Sequence, residues 1–424
     1  MSRKTFAFIV VAAMLLAVPV LVTGGAITRG NWGSSVGFAV DKNPAGFQPN
    51  QVIDASNIGP VEKLLPPSIV LLAKKYKYKL WTKNYEAYVP SNSYIAATNK
   101  YLGQPQAIDV GASARKKGLK SYNAGLPFPN PKNGYEVSWN YTYNYLGDDA
   151  ANEFGVYWIN AKRGVERSEE WTWDYIARSM FRTDIAPKPH IPEAAAKNIQ
   201  YYSMTTCLKP FDKKGFTALY WRYVEPKDQD GYIYNPAQRR PIRFSFGTRG
   251  DAWNNTDLLY EDVRGYMGYP EWMKWKILAK GTFLAPMNSE IPHGRQAVKQ
   301  VFDFDNAPYW NFKAKYEPRP MYVLEVIPKF RDYPYSKMIF YVDAESYFIL
   351  YKEAYDKKGQ LWKILINAWN KSPNAASQPA DIGTSVVIDL QGEHATAFGW
   401  FKSKVNVGLK PSQFTLANLR KNAR

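Results

Sequence analysis

Runs of β-branched and aromatic residues, separated by turn-forming residues, fill the stretch from residue 316 to residue 369. Before the last run, Gly359 can adopt the positive φ angle that closes an antiparallel hairpin. This pattern predicts a β-meander, in which each strand pairs with the next one along the chain. The four predicted strands cover residues 321–327, 337–342, 347–355 and 361–369.

The last run of this meander has apolar side chains on both faces. Because side chains alternate along a strand, Trp362 and Ile364 share one face, while Leu365 and Trp369 share the other. A sheet with one solvated face alternates apolar and polar positions, so either both faces are covered or one lines an apolar cavity. We expect the face that carries Trp362 and Ile364 to line the interior.

Aromatic runs upstream of the meander extend the predicted sheet, which makes the chain a sheet-rich α+β protein. The first of these runs places Trp139 and Tyr141 on one face of a strand. Short helices are predicted to begin near Pro67 and to cover residues 92–102 and 108–122. The upstream strands are predicted over residues 136–145, 153–160, 166–176, 216–225 and 231–235.

The N-terminus has the pattern of a secretory signal. Arg3 and Lys4 precede an apolar run over residues 6–22, and small residues end at Ala26. We expect cleavage after Ala26, with an uncleaved membrane anchor as the alternative. No Cys lies near the end of the run, so we expect no lipid-modified N-terminus. The chain therefore divides into a signal peptide (1–26), a mixed region with short helices (27–121) and a β domain (122–424), and we expect it in the periplasm.

The chain carries a formal charge of +18, from 55 Lys and Arg against 37 Asp and Glu. Such a charge permits attraction to nucleic acid or to an anionic membrane. No arginine-rich tract or nucleic-acid motif is present, so we expect no nucleic-acid partner. Arg239, Arg240 and Arg243 place three guanidinium groups within five positions, which suits an anionic headgroup or membrane surface. The alternative is that they are basic residues of an exposed strand.

Catalytic and metal motifs are missing from the sequence. His190, His293 and His394 lie far apart, without metal-ligand spacing, and Cys207 is the one cysteine, which we expect to be buried. Carboxylates within residues 251–262 do not match a calcium loop. We therefore predict no catalytic residue, no metal and no cofactor, although two carboxylates could still meet in space as they do in glycosidases.

The 31 Tyr and 14 Trp residues favour an aromatic cavity over a polar active site. A cavity of this kind can hold an acyl chain without catalytic groups, because each Å² of apolar surface removed from water contributes about 25 cal/mol. We therefore predict a lipid carrier. Its predicted cavity residues are Trp139, Tyr141, Trp221, Phe244, Phe246, Tyr322, Leu324, Phe340, Trp362 and Ile364.

Several motifs between residues 122 and 420 resemble a bacterial family known as domain of unknown function 1329. They include the loop and strand at residues 125–140, the Tyr316-Glu317-Pro318-Arg319 segment, and the segments at 234–240, 260–263, 335–343 and 355–362. Two departures stand out. Pro318 replaces the polar or His residue that the family tends to have, and residues 27–123 follow the family loosely.

The resemblance extends to the outer-membrane lipoprotein-sorting proteins LolA and LolB. It implies an incomplete antiparallel β-barrel with helices on its concave side, a periplasmic or outer-membrane lipid role, and no catalytic residues to carry over. It also implies lipid or lipidated cargo, and as partners an exporter of the resistance-nodulation-division class or an outer-membrane protein. The alternatives are a structural or adaptor protein of an envelope export complex and a carbohydrate- or lipid-acting hydrolase.

Overall fold

The computed structural model describes residues 25–111, 115–227, 229–245 and 250–422, so nearly all of the predicted signal peptide lies outside the described residues. Within these ranges the strands are β1 (Val52–Ile53), β2 (Leu80–Thr82), β3 (Gln106–Ala107), β4 (Leu119–Lys120), β5 (Asp149–Asn160), β6 (Gly164–Ile176), β7 (Ile199–Lys209), β8 (Thr217–Tyr223), β9 (Asp230–Asn235), β10 (Arg240–Ser245), β11 (Met273–Ala285), β12 (Lys315–Pro328), β13 (Lys337–Asp343), β14 (Ile349–Tyr355), β15 (Leu361–Asn370), β16 (Asp381–Asp389) and β17 (His394–Val405). The helices are α1 (Trp32–Val36), α2 (Pro67–Tyr76), α3 (Asn92–Lys100), α4 (Gly134–Thr142), α5 (Pro192–Ala196), α6 (Arg295–Val301) and α7 (Leu416–Asn422). No helix in the described ranges has the length and apolar character needed to cross a lipid bilayer.

Fifteen of the strands form one sheet, and the predicted meander forms four consecutive neighbours in it, β12 to β15. Strand pairing is antiparallel except where β2 runs parallel to β12. β17 pairs with β5, which joins the C-terminal strands to those that follow α4. Among the described residues β10 pairs with neither β11 nor β1, so the sheet is not closed. The fold is α+β with an incomplete, barrel-like sheet, as predicted.

The register gives the sheet two apolar faces. Phe340 and Leu365 lie on one face, and Ile339 and Ile364 lie on the other. Seven strands on the Leu365 side (β5 to β8 and β15 to β17) border a single cavity, so the sheet curves with this face inward. We call it the concave face. The helices α3 and α4 pack on it, whereas α2 and α6 cover the opposite, convex face.

A β-bulge in β15 corrects the predicted interior face. Tyr355 pairs with Leu361 and Ala354 pairs with Lys363, so Trp362 is an extra residue without an opposing partner. The bulge interrupts the alternation. Trp362 therefore packs with the concave-face core, while Ile364 belongs to the convex-face core beneath α2. The expectation that both residues share the interior face is wrong.

The segment at 136–145 is mainly a helix and not the predicted strand. α4 begins after Asn133, whose Oδ1 accepts a hydrogen bond from the backbone N–H of Glu136 at 3.0 Å. Trp139 and Tyr143, one turn apart, stack with ring centroids 6.0 Å apart. The helix is buried on two sides, so its aromatic residues also fit the alternation of a strand. The helix predicted at 108–122 is also wrong for the described part of that range, where β4 pairs with β3.

Candidate ligand-binding cavity

A cavity of about 1050 Å³, counted out to its opening to solvent, lies on the concave face. Its walls come from seven strands, from Gln229 just before β9, and from residues 250–272, which we call the cover segment. The apolar lining residues are Phe154, Trp173, Trp253, Leu258, Val263, Met267, Trp272, Leu365, Ile382, Phe398 and Trp400. The polar ones are Thr205, Tyr220, Gln229, Tyr260, Glu261, Arg264, Asn367 and Ser385.

Aromatic side chains form the strand-built wall of the cavity. Phe154 on β5 stacks on Trp400 of β17, with ring centroids 5.7 Å apart. The ring centroid of Trp253, in the cover segment, lies 6.4 Å from that of Phe154 and 6.1 Å from that of Phe398. Trp253 therefore continues the wall across the cavity. Rigid rings of this kind offer a large apolar contact area with little loss of side-chain entropy. The wall therefore suits an apolar ligand.

The cover segment is irregular, with short 3₁₀ helices at Trp253–Asn255, Tyr260–Gly265 and Pro270–Trp272, and buried polar contacts hold it in place. The carboxylate of Asp257 accepts hydrogen bonds from Thr396 and contacts His394, each at 2.7 Å. The carboxylate of Asp262 pairs with the ammonium of Lys352 and accepts from the hydroxyl of Tyr335 at 2.6 Å. The segment is thus a fixed wall of the cavity.

Two side chains on neighbouring elements hold the backbone of the cover segment. The hydroxyl of Tyr141 on α4 donates to the carbonyl oxygen of Arg264 at 3.1 Å or of Tyr266 at 2.7 Å. The guanidinium of Arg222 on β8 donates to the carbonyl oxygen of Gly268 at 3.0 Å and to that of Met267. Satisfying these carbonyls lets an irregular segment remain buried beside an apolar cavity.

The surroundings of His394 and Lys352, which lie behind the cover segment, shift the pKa values of both side chains. The hydrogen bond to Asp257 raises the pKa of His394, and the nearby carboxylate of Glu166 raises it further. Burial lowers the pKa of Lys352, although its pairing with Asp262 opposes that fall. Both side chains contact anchoring carboxylates and neither belongs to the cavity lining.

A sequence profile of the family described as DUF1329, protein of unknown function, matches residues 52–420. The chain belongs to the DUF1329 family. A curated relative, an uncharacterized Pseudomonas aeruginosa protein, is 24% identical over 365 residues, which cover 80% of this chain and 73% of the relative.

Two solved structures resemble this DUF1329 protein. One is a domain from Vibrio parahaemolyticus assigned to outer-membrane lipoprotein sorting, with 17% identity, a TM-score of 0.49, and coverage of 68% of this chain and 98% of that one. The other is a DUF1329 family protein from Desulfovibrio piger, with 17% identity, a TM-score of 0.47, and coverage of 68% and 97%.

Residues of the motifs that resemble the DUF1329 family meet in a buried ionic cluster outside the cavity. Arg319 on β12 contacts Asp343 at 2.6 Å, Glu345 at 2.7 Å and Glu317 at 3.0 Å. Glu345 also accepts from the backbone N–H of Tyr88 at 2.9 Å. The cluster therefore ties the N-terminal region to the sheet. Its four residues, Glu317, Arg319, Asp343 and Glu345, hold the fold together and line no part of the cavity.

None of the predicted cavity residues whose side chains are described lines this cavity. Tyr322, Leu324, Phe340 and Trp362 pack in the concave-face core with α3 and α4. The other described residues lie elsewhere. Trp139 packs with Tyr143 and Phe181, Tyr141 holds the cover segment, Trp221 donates to the carbonyl oxygen of Phe414 at 3.0 Å, and Ile364 lies in the convex-face core. The side chain of Phe244 and all of Phe246 lie outside the described residues.

The sequence did signal some of the lining residues that the prediction omitted. Phe154 and Trp173 fall on strands that were predicted correctly from their aromatic runs. The sequence pattern places Leu365 on the face of β15 opposite Trp362 and Ile364, which is not the face expected to line the interior. Trp253 and Met267 come from an irregular segment whose residues show neither a strand nor a helix period. For these two residues the sequence shows an aromatic-rich segment, but it does not indicate which side of the segment faces the cavity.

The three predicted headgroup arginines lie at an exposed hairpin on the free edge of the sheet. Arg239 is in the turn, and Arg240 and Arg243 are on edge strand β10. Because side chains alternate, Arg240 and Arg243 point to opposite faces. Arg243 pairs with Asp230 at 2.5 Å. The arginines therefore form a basic hairpin, and do not converge on one small anion.

Within the described ranges, no group of three or more His, Cys, Asp or Glu residues is placed to hold a metal ion. Cys207 on β7 is buried, as predicted, and its Sγ lies 3.1 Å from the carbonyl oxygen of Lys209. Burial raises the pKa of its thiol to about 12. A thiol in this state is a poor nucleophile.

Proposed function

We propose that this DUF1329 protein is a non-catalytic carrier that holds the apolar part of a lipid or lipidated cargo in the concave-face cavity. The observation that carries the proposal is the aromatic lining of that cavity, contributed by Phe154, Trp253, Phe398 and Trp400 around an open volume of about 1050 Å³. Small-molecule sites are usually largely apolar and largely preformed. Each CH₂ group transferred into the cavity contributes about 0.8 kcal/mol.

The carrier would work in the periplasm, linked to lipid transport in the outer membrane or the wider envelope. The signal pattern of residues 1–26 and the net charge of +18 support export and contact with anionic membranes. The basic hairpin of Arg239, Arg240 and Arg243 would supply that contact. An exporter of the resistance-nodulation-division class or an outer-membrane protein would deliver or accept the cargo.

One observation favours the adaptor alternative for part of the sheet. The concave face over β12 to β14 is filled by the protein's own residues, with Tyr94 and Val137 of α3 and α4 packing on Leu324 and Phe340. The open part is limited to β5–β8 and β15–β17. The hydrolase alternative needs two facing carboxylates. The described lining of this cavity provides one carboxylate, that of Glu261.

A blocking variant tests the carrier function. Thr205 on β7 lines the cavity, so Thr205→Phe would place a ring in the space of the ligand. We expect a neutral fluorescent apolar probe to bind at least about tenfold more weakly, because losing the burial of two CH₂ groups is sufficient for that change. Thr172→Phe is the matched control, since Thr172 lies on the opposite face of neighbouring strand β6.

Equal probe binding by both variants would contradict the assignment of the carrier site to this cavity. Native mass spectrometry of protein purified from the periplasm of its host would identify the cargo directly. Failure of the wild-type protein to bind any apolar probe, with no co-purified lipid, would contradict the carrier function itself.

A further inference from the structure

Arg264 is the cation among the described residues that line the cavity. It sits in the cover segment with a φ angle of +57°, a left-handed conformation that favours Gly or Asn over a long side chain. The hydroxyl of Tyr141 holds this backbone by donating to the Arg264 carbonyl. A side chain kept in a disfavoured backbone conformation beside a cavity indicates a role for the side chain itself.

The guanidinium of Arg264 lacks a carboxylate partner within ion-pair distance among the described residues. Its Nε is buried without a hydrogen-bond partner, and its Nη2 contacts the thioether sulfur of Met267 at 3.5 Å, a weak acceptor. Glu261, three residues before Arg264, also lines the cavity. Arg264 is half-buried, and its buried Nε is a donor that an anion in the cavity could complete.

Three tyrosine side chains lie close enough to Arg264 for its charge to act on them. Burial raises the pKa of Tyr175, Tyr201 and Tyr220, and the positive charge of Arg264 opposes that rise in each of them. Tyr175 and Tyr201 stack with ring centroids 5.9 Å apart, and Tyr201 and Tyr220 stack at 5.7 Å. Neutral phenols beside a guanidinium leave its charge uncompensated and provide polar surface for a headgroup.

Two nearby arginines, Arg178 and Arg222, already bind backbone carbonyl groups. Arg178 donates to the carbonyl oxygens of Thr142 and Asn144 at 3.0 Å, and Arg222 donates to backbone carbonyls of the cover segment. Both therefore fix the backbone. Neither is among the lining residues, which leaves Arg264 as the guanidinium with donors to offer a ligand.

We propose that the cavity takes an amphiphile with an anionic head, and that Arg264 binds the head while the aromatic wall holds the apolar part. The proposal rests on the carrier function and adds the class of cargo. A carboxylate and a phosphate share the chemistry that a guanidinium recognises. The head is therefore a carboxylate, as in a fatty acid, or a phosphate, as in a phospholipid.

Three twelve-carbon ligands test the proposal by displacement of a neutral fluorescent probe: laurate, dodecyl phosphate and dodecanol, each below its critical micelle concentration at pH 8. We expect the wild-type protein to bind at least one of the anions about tenfold or more tightly than dodecanol, as a charge-assisted hydrogen bond provides. The preferred anion identifies the head. Arg264→Asn should lose this preference and keep its affinity for dodecanol.

The variants separate binding from folding. Asn adopts left-handed conformations more readily than Arg, so Arg264→Asn should unfold at a temperature no lower than wild type. Arg239→Asn is the matched control, because Arg239 also has a positive φ angle of 54° but lies exposed at the hairpin. Arg264→Lys should retain part of the preference.

A preference for the anions that survives in Arg264→Asn, or wild-type affinities that are equal for the anions and dodecanol, would overturn the proposal and leave the carrier function intact. Failure of all three ligands to displace the probe would also overturn the proposal. The carrier function fails only if the neutral probe itself does not bind and no lipid co-purifies, so binding of the probe distinguishes the two failures.

Discussion

The ammonium of Lys352, on central strand β14, forms a buried ion pair with the carboxylate of Asp262 in the cover segment. The same ammonium donates to the carbonyl oxygen of Gly265 at 3.1 Å, next to Arg264. One lysine therefore fixes the position of the segment that carries the proposed headgroup site. Because Lys352 is buried on the concave face, its charge depends on this partner.

We predict that Lys352→Met destabilises the protein by about 3–5 kcal/mol, because it leaves the Asp262 carboxylate buried without its cation. Urea unfolding measures the change. Replacing both partners, with Asp262→Leu added to Lys352→Met, should recover much of the stability. Lys357→Met, at an exposed turn, is the control and should stay within about 0.5 kcal/mol of wild type. A loss for Lys352→Met as small as that of the control would contradict the structural role of the pair.

The meander could be predicted from the sequence because its strands are sequential and its turns are short. β12 to β15 each pair with the next, so local alternation and turn residues carry the information. The helix α4 could not be predicted in this way. Val137 and Trp139 pack against different cores, so the segment lacks the polar stripe that distinguishes a helix from a strand.

The cavity was predictable in kind but not in position. An aromatic container on one face of the sheet followed from the composition and from the two apolar faces of β15. Its location depends on a bulge at Trp362 and on the cover segment, and neither is encoded by a local period. Lys352 and Asp262 are 90 residues apart in the sequence, and nothing in either segment indicates the other.

We predict a pH-dependent stability that Glu317 controls. Burial raises the pKa of Glu317 from 4.5 to about 8, although Arg319 opposes the rise. At this group the folded state therefore binds more protons than the unfolded state between these two pH values, so the contribution of Glu317 to stability is greatest below pH 4.5 and is lost as the pH rises toward 8. The slope approaches about 1.4 kcal/mol per pH unit.

Glu317→Gln removes this titration and keeps the oxygen that accepts from Asn288 at 2.9 Å and from Arg319. The free energy of unfolding of wild type, measured in urea from pH 5 to pH 8, should therefore fall relative to that of the variant. Parallel curves across this range would show that Glu317 titrates alike in the folded and unfolded states.

The basic hairpin should contribute to binding of anionic membranes. Arg239→Glu with Arg240→Glu reverses two exposed charges and leaves the Arg243–Asp230 pair intact. Each basic residue near an anionic surface contributes about 1 kcal/mol. We therefore expect the double variant to bind phosphatidylglycerol vesicles at least about tenfold more weakly than wild type at low salt, as measured by co-sedimentation. The difference should be smaller at high salt.

The control for this hairpin is Lys357→Glu with Lys358→Glu, which makes the same change of charge at the exposed turn between β14 and β15. If net charge alone governs membrane binding, the two double variants will lose affinity equally, and the hairpin then has no special role. Adding Arg243→Glu should weaken binding further.

Cys207 should react very slowly with thiol reagents in the folded protein. It is buried on β7, and the pKa of its thiol is raised by burial from 9.0 to about 12, which reduces the thiolate at pH 8 by about a thousandfold relative to an ordinary cysteine. Because the chain has one cysteine, the coloured thiolate that a chromogenic disulfide reagent releases reports this site alone. The rate in the folded state should therefore be at least about a thousandfold below the rate in denaturant. Cys207→Ala gives the background rate of colour release.

A reaction rate in the folded protein close to the rate in denaturant would contradict this prediction. It would mean that β7 and its turn at Phe211–Lys213 open readily, in conflict with the packed wall on which the cavity depends.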